Sequence, residues 1–160
     1  MEPSQQPGGL AEDEKQTWMA LVRVLVKLPA ALDAQLQRDA GMNHFEYWVL
    51  LGLSHHQGGT MRMSDLAVLT KGSLSRLSQV VARLEKRGWV RRTPDPTDGR
   101  YTLAILTDAG CAKVVESMPG HAQAIRDFVL DPLTKAQPKQ LRDICDRITR
   151  AIDADADGVC

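Results

Sequence analysis

Ser75, Arg76, Gln79, Arg83 and Lys86 are the side chains of this chain best suited to reading another molecule. At about 100° per residue they fall on or near one helix face, opposite a stripe of Leu74, Leu77, Val81 and Leu84. An arginine guanidinium can fork onto guanine, a glutamine amide onto adenine, and a serine hydroxyl can bond a base edge or a phosphate. Every surface helix has a polar face. The choice of these particular types is what points to base edges in a DNA groove. Arg76 and Gln79 are the expected base readers, with Ser73 and Ser75 at the helix start as cap or phosphate contacts.

Charge supports the same reading. The 160-residue chain is neutral overall, yet Lys71 to Arg100 holds eight basic residues against Glu85, Asp95 and Asp98, a net +5 that leaves −5 elsewhere. A basic cluster of this kind is the footprint that phosphate contacts need. Lys71, Arg83, Arg87, Arg91 and Arg92 are the phosphate candidates. Arg100 follows the turn-forming run Pro94-Asp95-Pro96-Thr97-Asp98-Gly99, where an exposed cation suits a phosphate or a narrow minor groove. Asp98, as a carboxylate, repels phosphate and is expected to shape the turn.

Other chemistries find little support. There is no G-x-S-x-G, P-loop, H-E-x-x-H or Gly-rich dinucleotide turn, so neither an enzyme nor a cofactor is expected. Cys111, Cys145 and Cys160 form no C-x-x-C pair. Cys111 opens a helix, whose N-terminus can lower a thiol's pKa, but a small buried residue is the simpler expectation. Cys145, next to Ile144, reads as a packing or interface residue. His55 and His56 are neighbours that diverge on a helix, and His44 and His121 stand apart in sequence, so no metal site is expected.

The elements around the reading segment follow from apolar spacing and breakers. At 43% apolar and 25% charged residues, the chain reads as one globular domain without an apolar run of membrane length. Its start, MEPSQQPGGLAEDE, lacks the basic head and apolar core of a secretory signal, so a cytoplasmic, membrane-free protein is expected. Trp18, Leu21, Leu25, Leu28, Leu32 and Leu36 predict a helix over Glu12 to Gln37, bent at Pro29. Asn43 caps a second helix to His56, and Ser64 is expected to cap a third to Leu69, with Leu66 and Leu69 inward. Thr70-Lys71-Gly72 is the turn of a helix-turn-helix, Ser73 the next cap and Gly88 the stop. Strands Trp89–Thr93 and Tyr101–Leu106 follow. Thr107 then caps a helix to about Leu130 that Pro119-Gly120 should kink or break. A last helix over Thr134–Asp153 carries Leu141, Ile144, Ile148 and Ile152 on one stripe. The expected fold class is mainly α with a small β-hairpin wing, a winged helix-turn-helix.

Three motifs in fixed order make the chain resemble the MarR family of winged helix-turn-helix transcriptional regulators. Asp95-Pro96-Thr97-Asp98-Gly99-Arg100 matches that family's D-P-x-D-x-R wing, and Leu106-Thr107-Asp108-Ala109-Gly110 matches the L-T-x-x-G that opens the next helix. The frame Ser75-Arg76 to Leu84-Glu85-Lys86-Arg87-Gly88 fits its recognition helix, and the likeness covers residues 12–153. The resemblance implies that Asp98 pairs with an arginine to hold the wing. It also implies a homodimer, with one recognition helix in the major groove and one wing in the minor groove per protomer. The apolar stripes of the first and last helices supply a physical reason for such pairing.

The domain reading is then a disordered tail over 1–10, an N-terminal dimerisation helix over 11–42 and a DNA-binding lobe over 43–107. C-terminal dimerisation helices over 108–155 and a loose tail over 156–160 complete it. By resemblance, a small aromatic or amphipathic effector would sit between the dimer helices and the reading lobe, with Trp18, Tyr47 and Trp48 lining its pocket and Arg23 meeting an acidic group. Relatives that sense oxidants carry a cysteine in the first helix, and this chain has none there. The leading expectation is a ligand-responsive regulator, usually a repressor in this family, bound to an inverted-repeat operator on double-stranded DNA. The alternatives are a winged-helix module that engages protein, and a constitutive DNA-binding protein without an effector.

Overall fold

The computed structural model describes residues 9–157. Of the two expected tails, residues 1–8 and 158–160, including Cys160, lie outside the described residues. The helices are α1 (Glu12–Ala40), α2 (His44–His55), α3 (Met63–Leu69), α4 (Leu74–Lys86), α5 (Asp108–Ile125) and α6 (Gln137–Asp157). The strands are β1 (Thr60–Arg62), β2 (Val90–Pro94) and β3 (Thr102–Leu106). The chain forms two compact units, one reaching to His121 and one from Ala122 onward.

In the first unit, leucines and valines from successive elements close one core: Leu36, Leu50, Leu66, Leu77, Leu84 and Val90 are fully buried. Asn43 ends the α1–α2 turn and caps α2, its side chain accepting the Glu46 N–H at 2.8 Å. The Glu46 carboxylate returns the bond to the Asn43 N–H at 2.9 Å, so two otherwise orphaned donors are satisfied. Ser73 caps α4 in the same manner, accepting from the Arg76 N–H at 3.2 Å. α1 runs unbroken through Pro29.

The sheet is three-stranded and antiparallel in the order β1-β3-β2, not a two-stranded hairpin. Thr60 faces Ile105 and Arg62 faces Leu103 across one edge of β3, while Val90 faces Leu106 and Pro94 faces Thr102 across the other. β1 has no signature in the sequence, because three residues are too few to show alternation. A lone hairpin is marginal in water, and β1 supplies its third strand.

Several expectations need correction. α3 starts at Met63, whose side chain is buried, so Ser64 lies inside the helix and its hydroxyl bonds Asp65 at 3.2 Å instead of capping. Leu69 is 53% exposed, because it ends α3 and lies across Gly52 of α2. Leu74 is also outside the core, and Val80 takes the buried place with Leu77, Val81 and Leu84. α5 continues through Pro119-Gly120, since one missing N–H costs one bond of an 18-residue helix. Cys111 is exposed, the packing position being taken by buried Gly110.

In the second unit, α5 passes into a π-helical turn, Arg126–Leu130, at its end. Thr134 donates its N–H to the Gln137 side chain at 2.8 Å, and α6 starts three residues later than expected. Pro138 therefore occupies the second helical position, where no intrahelical N–H is required. Leu141, Ile144, Ile148 and Ile152 all remain exposed, and so does Cys145. Among the described residues no helix is long and apolar enough to cross a membrane.

Candidate nucleic-acid interface

α4 buries one stripe and leaves Ser75, Arg76, Gln79, Arg83 and Lys86 exposed. The helical phase puts Ser75, Gln79 and Lys86 on the ridge directly away from the core. Arg76 and Arg83 stand on one flank of that ridge, and Leu74 and Ser78 on the other. The first flank borders an open cleft of about 690 Å³ shared with α1 and α2, lined among others by Asp33, His44, Phe45 and Trp48. The second borders a groove of about 360 Å³ shared with the wing, lined among others by Ser64, Arg100 and Tyr101. α4 and Arg100 thus face a common groove, with the outward ridge of α4 between that groove and the cleft.

The eight cations of the basic segment are not equivalent. Arg83 donates its Nε–H to the buried Glu46 carboxylate at 3.0 Å, and Arg87 bonds the Gly41 carbonyl at 2.8 Å. Arg92 sets Nε and Nη2 on the Glu85 carboxylate at 3.0 and 2.8 Å, and those bonds hold Glu85 below the usual carboxylate range. The Arg76 guanidinium lies over the Phe45 ring at 4.2 Å, a stacking contact through its face that leaves its N–H edge without a carboxylate partner among the described residues. Lys71, Lys86 and Arg91 have no carboxylate partner among the described residues. Lys71 holds the turn between α3 and α4 at a left-handed φ of 52°.

The wing is built on two carboxylates. Asp98 accepts the Arg100 Nη2–H at 2.6 Å and its Nε–H at 2.9 Å, lowering the Asp98 pKa and raising that of Arg100. The Arg100 side chain stays 84% exposed, so it is braced without being hidden. Asp95 accepts from the Thr97 hydroxyl and N–H at 2.7 and 2.8 Å, and from the Arg62 Nε–H at 2.8 Å. Thr97 is the larger cause and Arg62 the lesser of a pKa pulled down to about 2. Arg62 also stacks over Tyr101 at 4.3 Å, fastening the wing to β1. Arg62 and Glu46 were missed from sequence; Glu46 carried a signal in its Asn43-x-x-Glu46 spacing, and Arg62 carried none.

The base of the wing explains the threonine and glycine of the third motif. Thr107 donates its hydroxyl to the Gly88 carbonyl at 2.6 Å and accepts the Gly110 N–H at 3.0 Å, tying the end of α4 to the start of α5. A Cβ on Gly110 would collide with the Trp89 carbonyl oxygen.

The four expected effector-pocket residues are not gathered together. Trp48 borders the 690 Å³ cleft, half exposed, its indole N–H donated to His44 Nε2 at 2.8 Å. Tyr47 is buried, its ring 4.7 Å from that of His121, and burial raises its pKa. Trp18 and Arg23 are exposed on the N-terminal half of α1 and do not line the cleft. Distant in sequence, His44 and His121 come within 5.6 Å between ring centroids, and no trio of His, Cys, Asp and Glu able to hold a metal occurs among the described residues.

Residues 40–100 match the family model described as MarR family. The chain is 42% identical to the MarR family transcriptional regulator Sco3205 of Streptomyces coelicolor, solved in complex with DNA. That likeness has a TM-score of 0.85 and covers 90% of this chain and 94% of Sco3205. AbsC, a MarR family transcriptional regulator of the same organism, is 31% identical with a TM-score of 0.84, over 91% of this chain and 98% of AbsC. The HTH-type transcriptional regulator YdcH of Bacillus subtilis is 29% identical over 73% of this chain and 74% of its own.

Proposed function

The chain belongs to the MarR family of transcriptional regulators, which are not enzymes, and we propose that it reads an inverted-repeat operator on double-stranded DNA as a homodimer. The observation that carries this reading is the exposed ridge of α4, with Ser75, Gln79 and Lys86 beside the braced Arg100 of the wing. In the proposal Arg76 and Gln79 contact bases, Arg100 enters the minor groove, and Ser73, Ser75, Lys71, Lys86 and Arg91 meet phosphates. Arg83, Arg92 and Asp98 are assigned instead to holding α4 and the wing in place, because Arg83 and Arg92 are less exposed and held by Glu46 and Glu85, and Asp98 braces an Arg100 that stays 84% exposed.

The dimer is supported by apolar surface. Trp18, Val24 and Leu25 on α1, and Leu141, Ile144, Ile148 and Ile152 on α6, are all exposed in the single chain. Covering them with a second copy removes that surface from water, and a two-fold pair sets half-sites about one helical turn apart. The proposed domain roles follow: α1 and the C-terminal helices pair, while the lobe over 43–107 reads. A dimer seated on an operator blocks access to the DNA beneath it, so repression is the proposed outcome.

Release by a small aromatic or amphipathic effector belongs to the same proposal. Its support is the cleft of about 690 Å³ whose wall includes Arg76 and Gln79, so a ligand there would engage side chains assigned to DNA. Trp48, Phe45 and His44 offer aromatic contact, and Tyr47 braces the cluster from within. Trp18 and Arg23 contribute through α1 and not through this cleft. A protein-binding module would carry apolar side chains where the ridge of α4 carries Ser75, Gln79 and Lys86.

The test is selection of bound duplexes from a random library, followed by affinity measurements between 50 and 200 mM salt. Neutralising about six phosphates should cost roughly a thousandfold over that range. Affinity that ignores salt, or a library that yields no preferred sequence, rules the reading out. Thermal stabilisation of the protein by aromatic acids then separates an effector-controlled regulator from a constitutive one.

A further inference from the structure

Leu74 is the one large apolar side chain of α4 that the core leaves out: it is 55% exposed, whereas Leu77, Val80, Val81 and Leu84 are buried. It is the first residue of the helix, directly after the Ser73 cap, and recognition helices put their N-terminal residues against base edges. Its flank faces the groove between α4 and the wing, which Met63, Ser64, Ser78, Arg100 and Tyr101 also line. Ser64, Ser78 and Arg100 suit the phosphates of one DNA strand, and Leu74 gives the same groove an exposed apolar side chain. In B-DNA the one apolar group displayed in the major groove is the C5 methyl of thymine, which sits beside the backbone of its own strand.

We propose that Leu74 packs on the methyl group of a thymine in the strand held between α4 and the wing, and so adds a T-specific position to each half-site. The proposal rests on the DNA-reading function assigned above. It assigns a specificity contact to a residue whose hydrogen-bonding capacity is nil. A polar side chain at position 74 would accept several bases through hydrogen bonds, whereas a leucine senses the C5 methyl that thymine carries and that cytosine and uracil lack.

Uracil pairs like thymine and lacks only that methyl, which makes it the selective probe. The experiment takes the best duplex from library selection, replaces each thymine in turn by deoxyuridine, and measures affinity for the full-length protein and for Leu74→Ala. One position per half-site should weaken binding about fourfold in the unaltered protein, the worth of one buried methyl. At that same position the Leu74→Ala protein should bind thymine and uracil equally, while its affinity for the uracil duplex matches that of the unaltered protein. Because Leu74 is exposed, the variant should melt with the unaltered protein. A duplex bound tightly with no methyl-sensitive position, or a sensitivity that survives Leu74→Ala, overturns this inference and leaves the DNA-reading function standing. Failure to select any duplex overturns both.

Discussion

The Nε–H of Arg83 on α4 donates to Oε1 of Glu46 on α2 at 3.0 Å, and the Glu46 side chain is only 4% exposed while that of Arg83 is 49% exposed. The same carboxylate receives the Asn43 N–H, so one buried group both caps α2 and sets the flank of the reading helix. Such a pair fixes geometry more than it adds stability, because desolvation offsets much of the attraction. Removing the cation alone is different, for it leaves a buried carboxylate with the Asn43 N–H and only the more distant Arg87 guanidinium, at 3.9 Å, as partners. Arg83→Met should therefore lower unfolding stability by about 1–3 kcal/mol in denaturant titration. If Arg83 served only phosphate, the same substitution would leave the midpoint within about 0.5 kcal/mol of the unaltered protein.

Gly110 makes a second prediction, about the joint between wing and α5. A side chain there meets the Trp89 carbonyl, which is backbone and cannot rotate away. Gly110→Ala should cost about 3 kcal/mol or more. Gly99, at the wing tip, has open space around it and no left-handed φ, so Gly99→Ala should stay within about 0.5 kcal/mol. Thermal melts of the two variants side by side check the contrast, and equal losses would show that the wing tip is packed.

What could be read from residues alone was whatever is local. Ser73 and Gly88 bracket α4 within its own sequence, and Asn43 announces α2, so both helices and the exposed polar face of α4 were legible in the sequence. The side chains that orient them were not. Arg83 and Glu46 are 37 residues apart and Arg62 and Asp95 are 33 apart, distances over which no spacing rule operates. For that reason Arg83, Arg87 and Arg92 read as phosphate candidates alongside Lys71 and Arg91, although the fold bonds those three internally. Leu74 shows the same limit in reverse: periodicity places it on the apolar stripe, and only the position of the core decides that the stripe begins at Leu77.

Lys71 separates stability from binding. Its φ of 52° lies in the left-handed region, where a lysine Cβ is strained and a glycine is not. Lys71→Gly should stabilise the fold by about 1 kcal/mol while removing one free cation from the turn that precedes α4. The slope of log affinity against log salt should then fall by about 1 for each protomer bound. A stability gain with an unchanged slope would take Lys71 off the phosphate-contacting set.

Acid should weaken this fold in two stages. His44 and His121 both have pKa values below the ordinary 6.5; burial is the larger cause for each, opposed by Asp33 at His44 and reinforced by His44 at His121. The Trp48 indole N–H needs an unprotonated Nε2 on His44 at 2.8 Å, and Gln35, which donates its amide N–H to Asp39, turns its oxygen toward His121 Nδ1 at 3.1 Å. A base with a lower pKa when folded holds fewer protons than the unfolded chain, so its contribution is complete above 6.5 and is lost as pH falls below that value. Asp95 works in a lower window. Its carboxylate is pulled from 3.8 to about 2, so the stability it lends is present above 3.8 and lost as pH falls toward 2. Melting temperature should therefore hold steady between about pH 7 and 9, decline below about 6.5, and decline again below about 4. Replacing both histidines by glutamine should flatten the first decline alone, and Asp95→Asn should lessen the second, to which Glu85 and Asp98 also contribute. A melting temperature that rises on acidification from pH 6.5 to 5 would show that His44 and His121 gain, instead of losing, from carrying charge in the folded state.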